Sequence, residues 1–149
     1  VSAFVTAGAG FLLAVLWMDM MFDVQVLGHP PAPLPEPTLA SIAAYYARVT
    51  TAARPMNRLI ATTMLATLAA VIVELAEGSQ PAWAAWASLA LVLTPILLAA
   101  GRTVPGAVRL GSRADGLEGQ SALARSILLQ HVVCFCSIAA LIAVQLAAL

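Results

Sequence analysis

The chain has 149 residues, 62% of them hydrophobic and only 9% charged, with seven basic and seven acidic side chains that cancel. A water-soluble domain carries about a quarter charged residues, so the composition excludes an ordinary soluble globular protein and points to lipid as the main solvent. Zero net charge without a basic patch also excludes a nucleic-acid partner.

A spanning helix needs ~20 predominantly apolar residues, and four runs qualify, at about 2–24, 56–77, 82–101 and 122–148. No segment alternates as a strand would. The expected fold is an all-α integral membrane protein, one domain over 1–149. It is a four-transmembrane-helix bundle with a short cytoplasmic interfacial helix.

The first run is too long, and its aspartate-bearing end too polar, for a cleavable signal peptide, so it reads as a retained helix. It ends in Leu-Trp-Met-Asp-Met-Met-Phe-Asp-Val-Gln, residues 16–25, which places Asp19 and Asp23 one turn apart on one face. The segment 28–37, Gly-His-Pro-Pro-Ala-Pro-Leu-Pro-Glu-Pro, predicts a stiff polyproline-II spacer, with Thr38 as the following N-cap. Leu39, Ile42, Tyr46, Val49 and Ala53 then form one apolar stripe. This predicts an amphipathic interfacial helix over 39–53 that breaks near Arg54-Pro55.

The second span opens with Arg54, Asn57 and Arg58 and closes with Glu74 and Glu77, where the helix dipole disfavours carboxylates; both are expected to be hydrated. Trp83 and Trp86 open the third span at headgroup level. The Gly-rich connection 104–120 carries no phosphate loop, dinucleotide fingerprint or zinc-protease motif. In the fourth span Ser126, Gln130, Cys134 and Ser137 form a polar stripe, with Arg125 near its start and His131 beside it. Cys134 and Cys136 point apart on that helix and read as packing residues rather than a disulfide.

There is no lysine, and all seven arginines fall in the first and third connections or the turns beside them. Arginine-bearing short loops stay cytoplasmic, so both termini are expected in the periplasm of a bacterial inner membrane. In that topology Asp19 and Asp23 lie at the depth of Arg54 and Arg58. Asp19, as the deeper acid, is expected to pair with Arg58 or Arg54 and to matter more than Asp23. Asn57, Arg125, Gln130 and His131 complete the cluster.

An unpaired charge at such depth costs at least ~2.5–3.5 kcal/mol, and intramembrane ionisable residues mark function by default. The cluster therefore reads either as a clamp fixing helix register or as a binding or catalytic site. The arginines argue against a metal, and the lack of a second intramembrane histidine argues against haem, so no cofactor is expected. The expected function is that of an accessory subunit of a membrane complex, or a binder of a lipid- or quinone-like molecule. Small-residue faces such as Ala3/Ala7 and Gly10/Ala14 suit close helix contacts, within the bundle, in a homo-oligomer or with other membrane subunits.

Thr-Val-Pro-Gly-Ala-Val-Arg-Leu, 103–110, followed by Ala-Arg-Ser-Ile-Leu-Leu-Gln-His, 124–131, resembles the anthrone-oxygenase-like family of small four-helix membrane proteins. The resemblance covers the last third of the chain. Gly106 stands where the family pattern has Asn, and the last helix lacks the pattern's Trp. The resemblance implies cofactor-free oxygenation of a polycyclic phenolic substrate, with His131 and Arg125 near the site.

Overall fold

The computed structural model describes residues 1–30 and 33–148, with Arg54 described in its backbone only. Six α-helices account for most of it: α1 (Ser2–Asp23), α2 (Glu36–Ala47), α3 (Arg54–Glu77), α4 (Ala82–Leu98), α5 (Val104–Gly111) and α6 (Leu117–Ala147). No strand occurs among the described residues. Four helical stretches are long and apolar enough to cross a membrane: Ser2–Gly28, Pro55–Glu77, Ala82–Gly111 and Leu117–Ala147. Their outward faces carry large apolar side chains such as Phe4, Leu27, Leu65, Trp86, Leu97 and Leu129. Such a continuous apolar surface suits lipid, not water.

The long helices form a ring in the order α1, α3, α4, α6, each packed on its two neighbours, with no close backbone contact across either diagonal among the described residues. Val5, Ala9, Leu12, Val71, Val92, Ile138 and Leu141 fill the middle. Where α1 meets α3, Gly8 lies so close to Thr67 that a β-carbon there would strike its hydroxyl, whereas Gly10 faces open space. Of the two glycines in α1, Gly8 therefore makes the close approach.

A second core caps one end of the ring. Leu39, Ile42 and Tyr46 of α2 are buried against Ala107 and Leu110 of α5, Ala124, Ile127 and Leu128 of α6, and Val26 and Leu34. The predicted apolar stripe of α2 is thus real, but it faces protein. The helix also starts earlier than its prolines suggested. Glu36 and Pro37 are helical and Pro35 is the N-cap, because a proline in the first turn loses no hydrogen bond. Thr38, rather than capping, hydrogen-bonds His29 at 3.2 Å. Pro31 and Ala32 of the expected spacer lie outside the described residues.

The Gly-rich connection is likewise more helical than expected. Only 112–116 separates α5 from α6, and Gly111 is a site of close packing and not of chain freedom. A β-carbon on Gly111 would lie 2.7 Å from the backbone nitrogen of Ala47, so α5 rests directly on the α2 backbone. Tertiary contact here overrides helix propensity.

Two π-helical turns, Arg48–Ala52 and Ala99–Thr103, precede α3 and α5. After the first, the backbone leaves helical geometry at Ala53, near the predicted break at Arg54-Pro55. The second runs straight into α5, where the ring of Pro105 would clash with the carbonyl four residues earlier, at Gly101. Widening the turn relieves that clash. Both wide turns sit between the two cores, where a cavity opens.

Candidate functional site

Asp19 and Asp23 project from the last turns of α1 toward the cap, and their partners are tyrosines and a histidine. Asp23 is 0% exposed. Its Oδ1 accepts the Tyr46 hydroxyl at 2.5 Å, and its Oδ2 lies 2.6 Å from Nδ1 of His131 on α6. Asp19 accepts the Tyr45 hydroxyl at 2.5 Å, and its Oδ2 faces Nε2 of the same imidazole at 3.9 Å. Tyr45 is held by stacking on Phe22, with ring centroids 4.0 Å apart and planes at 10°. Consecutive tyrosines thus serve carboxylates one turn apart, and His131 lies between the two acids.

The expected Asp19–Arg58 pair is not what the fold provides. Arg58 is exposed and forms none of the ion pairs among the described residues; of Arg54 only the backbone is described. The arginines that do bond hold connections. Arg125 donates to the Pro30 carbonyl at 2.7 Å, Arg113 pairs with Glu36 at 2.7 Å, and Arg109 with Asp115 at 2.6 Å. Burial runs opposite to the importance expected of the two acids. Asp23 is sealed, while the Asp19 side chain keeps 17% exposure because the cavity reaches it. The α2 cap, folded back over the end of α1, removes Asp23 from water.

Asn57 lines the cavity and donates to the Thr50 carbonyl of the first wide turn at 2.8 Å. Gln130 accepts the Thr103 hydroxyl of the second at 2.8 Å and donates to Ser126 at 2.8 Å. These two side chains hold the wide turns in place. Tyr45 and Tyr46 are the site residues that reading by sequence missed. Membership of Tyr46 in the α2 stripe was the available signal.

The cavity occupies about 590 Å³, within the ~300–1,000 Å³ typical of small-molecule sites. Its walls are mostly apolar, including Leu12, Leu16, Met64, Val92, Ile96 and Ile138, and its polar lining is Asp19, Tyr45, Tyr46, Thr50, Asn57, Thr103 and His131. Burial, then the neighbouring Asp23 carboxylate, pushes the Tyr46 phenol far above its ordinary value; burial, then Asp19, does the same to Tyr45. Both phenols therefore remain donors to their carboxylates.

The carboxylate at Nδ1 fixes the neutral imidazole in its Nδ1–H tautomer, because a carboxylate accepts only. Nε2 then presents a lone pair toward the cavity. Protonated, the same ring presents an N–H there. Among the described residues no group of three or more His, Cys, Asp or Glu side chains has the arrangement of a metal site. The fold and the site together define an α-helical bundle of membrane-spanning proportions with a carboxylate–imidazole pair at the head of an apolar cavity. No family model, curated protein or solved structure matches the chain.

Proposed function

We propose that this chain is a multi-pass protein of a bacterial inner membrane, with both termini periplasmic, that binds a largely apolar molecule carrying one polar oxygen head, of lipid or quinone type. The observation that carries this reading is the cavity, whose lining is mostly apolar but includes Asp19, His131 and Tyr45. A hydroxyl head donates to Nε2 of neutral His131, and a carbonyl head accepts from the protonated ring. The site therefore suits either form of a quinol–quinone pair. Asp23 acts on the ligand only through His131, by fixing its tautomer.

A second reading is cofactor-free oxygenation of a polycyclic phenol. It is favoured by the buried Asp23 behind an imidazole whose other nitrogen faces the cavity, the geometry of a general base. In that case Nε2 takes the phenolic proton and dioxygen oxidises the anion. One oxygen atom becomes a new ring carbonyl, and the other leaves as water with the hydrogen of that ring carbon and the phenolic proton.

The test is purification from native membranes in mild detergent, followed by solvent extraction and mass spectrometry, beside a titration with a short-chain ubiquinone. Wild-type protein should retain an aromatic or prenylated molecule or bind the added quinone. His131→Gln should fold normally and lose both. A wild-type protein that neither carries nor binds such a molecule, or a His131→Gln variant that binds equally well, would overturn the proposal. Oxygen consumption with a polycyclic phenol, abolished by His131→Gln, would select the second reading.

A further inference from the structure

The end of the bundle opposite the Asp–His site holds a second polar cluster, unrelated to the cavity. Glu74 of α3, Ser88 of α4 and Gln145 of α6 are 0%, 0% and 1% exposed. Gln145 donates its Nε2 protons to Glu74 Oε2 at 2.9 Å and to Ser88 Oγ at 3.1 Å. Because α3 and α6 lie across the diagonal of the helix ring, this contact places the cluster at the bundle axis. The hydration expected of Glu74 is therefore not what the fold provides; only Glu77, one turn on, is exposed.

Two oxygens of the cluster, Glu74 Oε1 and Gln145 Oε1, are buried with no hydrogen-bond partner. No basic side chain lies in the last turn of α3 or α6. Along α3, Arg58 is ~24 Å away, and along α6 Arg125 is ~30 Å from Gln145, at ~1.5 Å per residue. Moreover, Glu74 and Gln145 stand in the last turns of their helices, where the dipole is negative and favours a cation. A carboxylate with one unpartnered oxygen and the unpartnered amide oxygen of Gln145 thus stand together at one enclosed point, in the last turns of two helices.

From this we infer that Glu74, Ser88 and Gln145 form a binding site for a small monovalent cation such as Na⁺ at the bundle axis. Hard cations take oxygen ligands, carboxylate, amide and hydroxyl among them. Helix C-terminal ends coordinate Na⁺ in membrane transporters. One carboxylate balances one positive charge, which selects a monovalent ion. The side chains are sealed inside the ring, so a lysine or arginine from a partner subunit cannot reach them, whereas a dehydrated ion is small enough.

The test is thermal unfolding of the detergent-solubilised protein, read by tryptophan fluorescence, in NaCl or KCl against choline chloride at equal ionic strength and constant pH. Ligand binding to the native state raises the Tm further with each tenfold increase in free ligand. The Tm should rise in this way with Na⁺ or K⁺ and stay flat in choline. Glu74→Gln should abolish the dependence and the retention of radioactive ²²Na⁺. If Glu74→Gln does not fold, Ser88→Ala keeps the carboxylate, loses one ligand, and should need more Na⁺ for the same rise. Equal wild-type melting in all three salts would mean that a proton or water satisfies Glu74, and would overturn the inference. A cation dependence unchanged in Glu74→Gln, or in Ser88→Ala where that is the variant that folds, would overturn it equally.

Discussion

Replacing Asp23 by alanine removes the group on which the cap, α1 and α6 converge. Its carboxylate accepts from Tyr46 at 2.5 Å and from His131 at 2.6 Å, and each hydrogen bond to a charged group is worth ~1.5–3 kcal/mol. Some of this is recovered, because the Tyr46 hydroxyl already lies 3.5 Å from His131 Nδ1 and can turn to it. The net loss should be ~3–5 kcal/mol, the range for breaking a buried pair from one side. Asp19→Ala loses one bond, from Tyr45, at a site that the cavity reaches, and its cost should be ~1.5–2 kcal/mol, the lower part of the same hydrogen-bond scale. The two variants should therefore differ by ~2 kcal/mol, with Asp23→Ala the weaker protein. Equilibrium unfolding in dodecylmaltoside with increasing dodecylsulfate, followed by far-UV circular dichroism, measures both. A variant Asp19→Ala as unstable as Asp23→Ala, or more so, would refute the hydrogen-bond reasoning and restore depth along α1 as the governing variable.

Tyr45 and Tyr46 are the chain's only tyrosines, so tyrosinate absorbance near 295 nm reports this site alone. The native protein should show none as pH passes the ordinary phenol value of 10.0, because burial and the aspartates raise both groups. The unfolded chain releases those protons first, so stability should fall as pH rises above that value; native tyrosinate appearing at the ordinary value would contradict the site geometry. Gly111→Ala puts a methyl 2.7 Å from the Ala47 nitrogen and should cost ~1–3 kcal/mol by overpacking. Because it displaces the residue next to Tyr46, its tyrosine titration should also move toward the unfolded value; an unchanged melt would refute the close approach. For topology, Pro33→Cys and Ser79→Cys lie at exposed positions on opposite ends of the bundle. In intact cells an impermeant maleimide should label position 79 and spare position 33, and the reverse pattern would invert the proposed orientation.

The number of long apolar helices was legible in the sequence because it depends on local composition: ~20 apolar residues in a row suffice, whatever they pack against. The amphipathic stripe of α2 was legible for the same reason, since Leu39, Ile42 and Tyr46 mark a buried face by spacing alone. So was the convergence of Asp19, Asp23 and His131, because a charged or titratable side chain in such a helix must turn inward. The identity of their partners depended on the cap. Arg58 matched the aspartates in depth, but matched depth does not fix which way a helix is rotated. The ring order α1, α3, α4, α6 and the folding of α2 over α1 turned two tyrosines onto the acids and left Arg58 exposed.

Glu74 shows the same division. Its place near a helix end suggested water, whereas its rotation toward the bundle axis, set by the packing of α3 on α1 and α4, joined it to Gln145, 71 residues away. Periodicity along one helix says that a face is buried. Only the packing of several helices decides which buried groups meet, because hydrogen bonds and ion pairs act over about 3–4 Å, far less than the freedom left by an unspecified helix rotation.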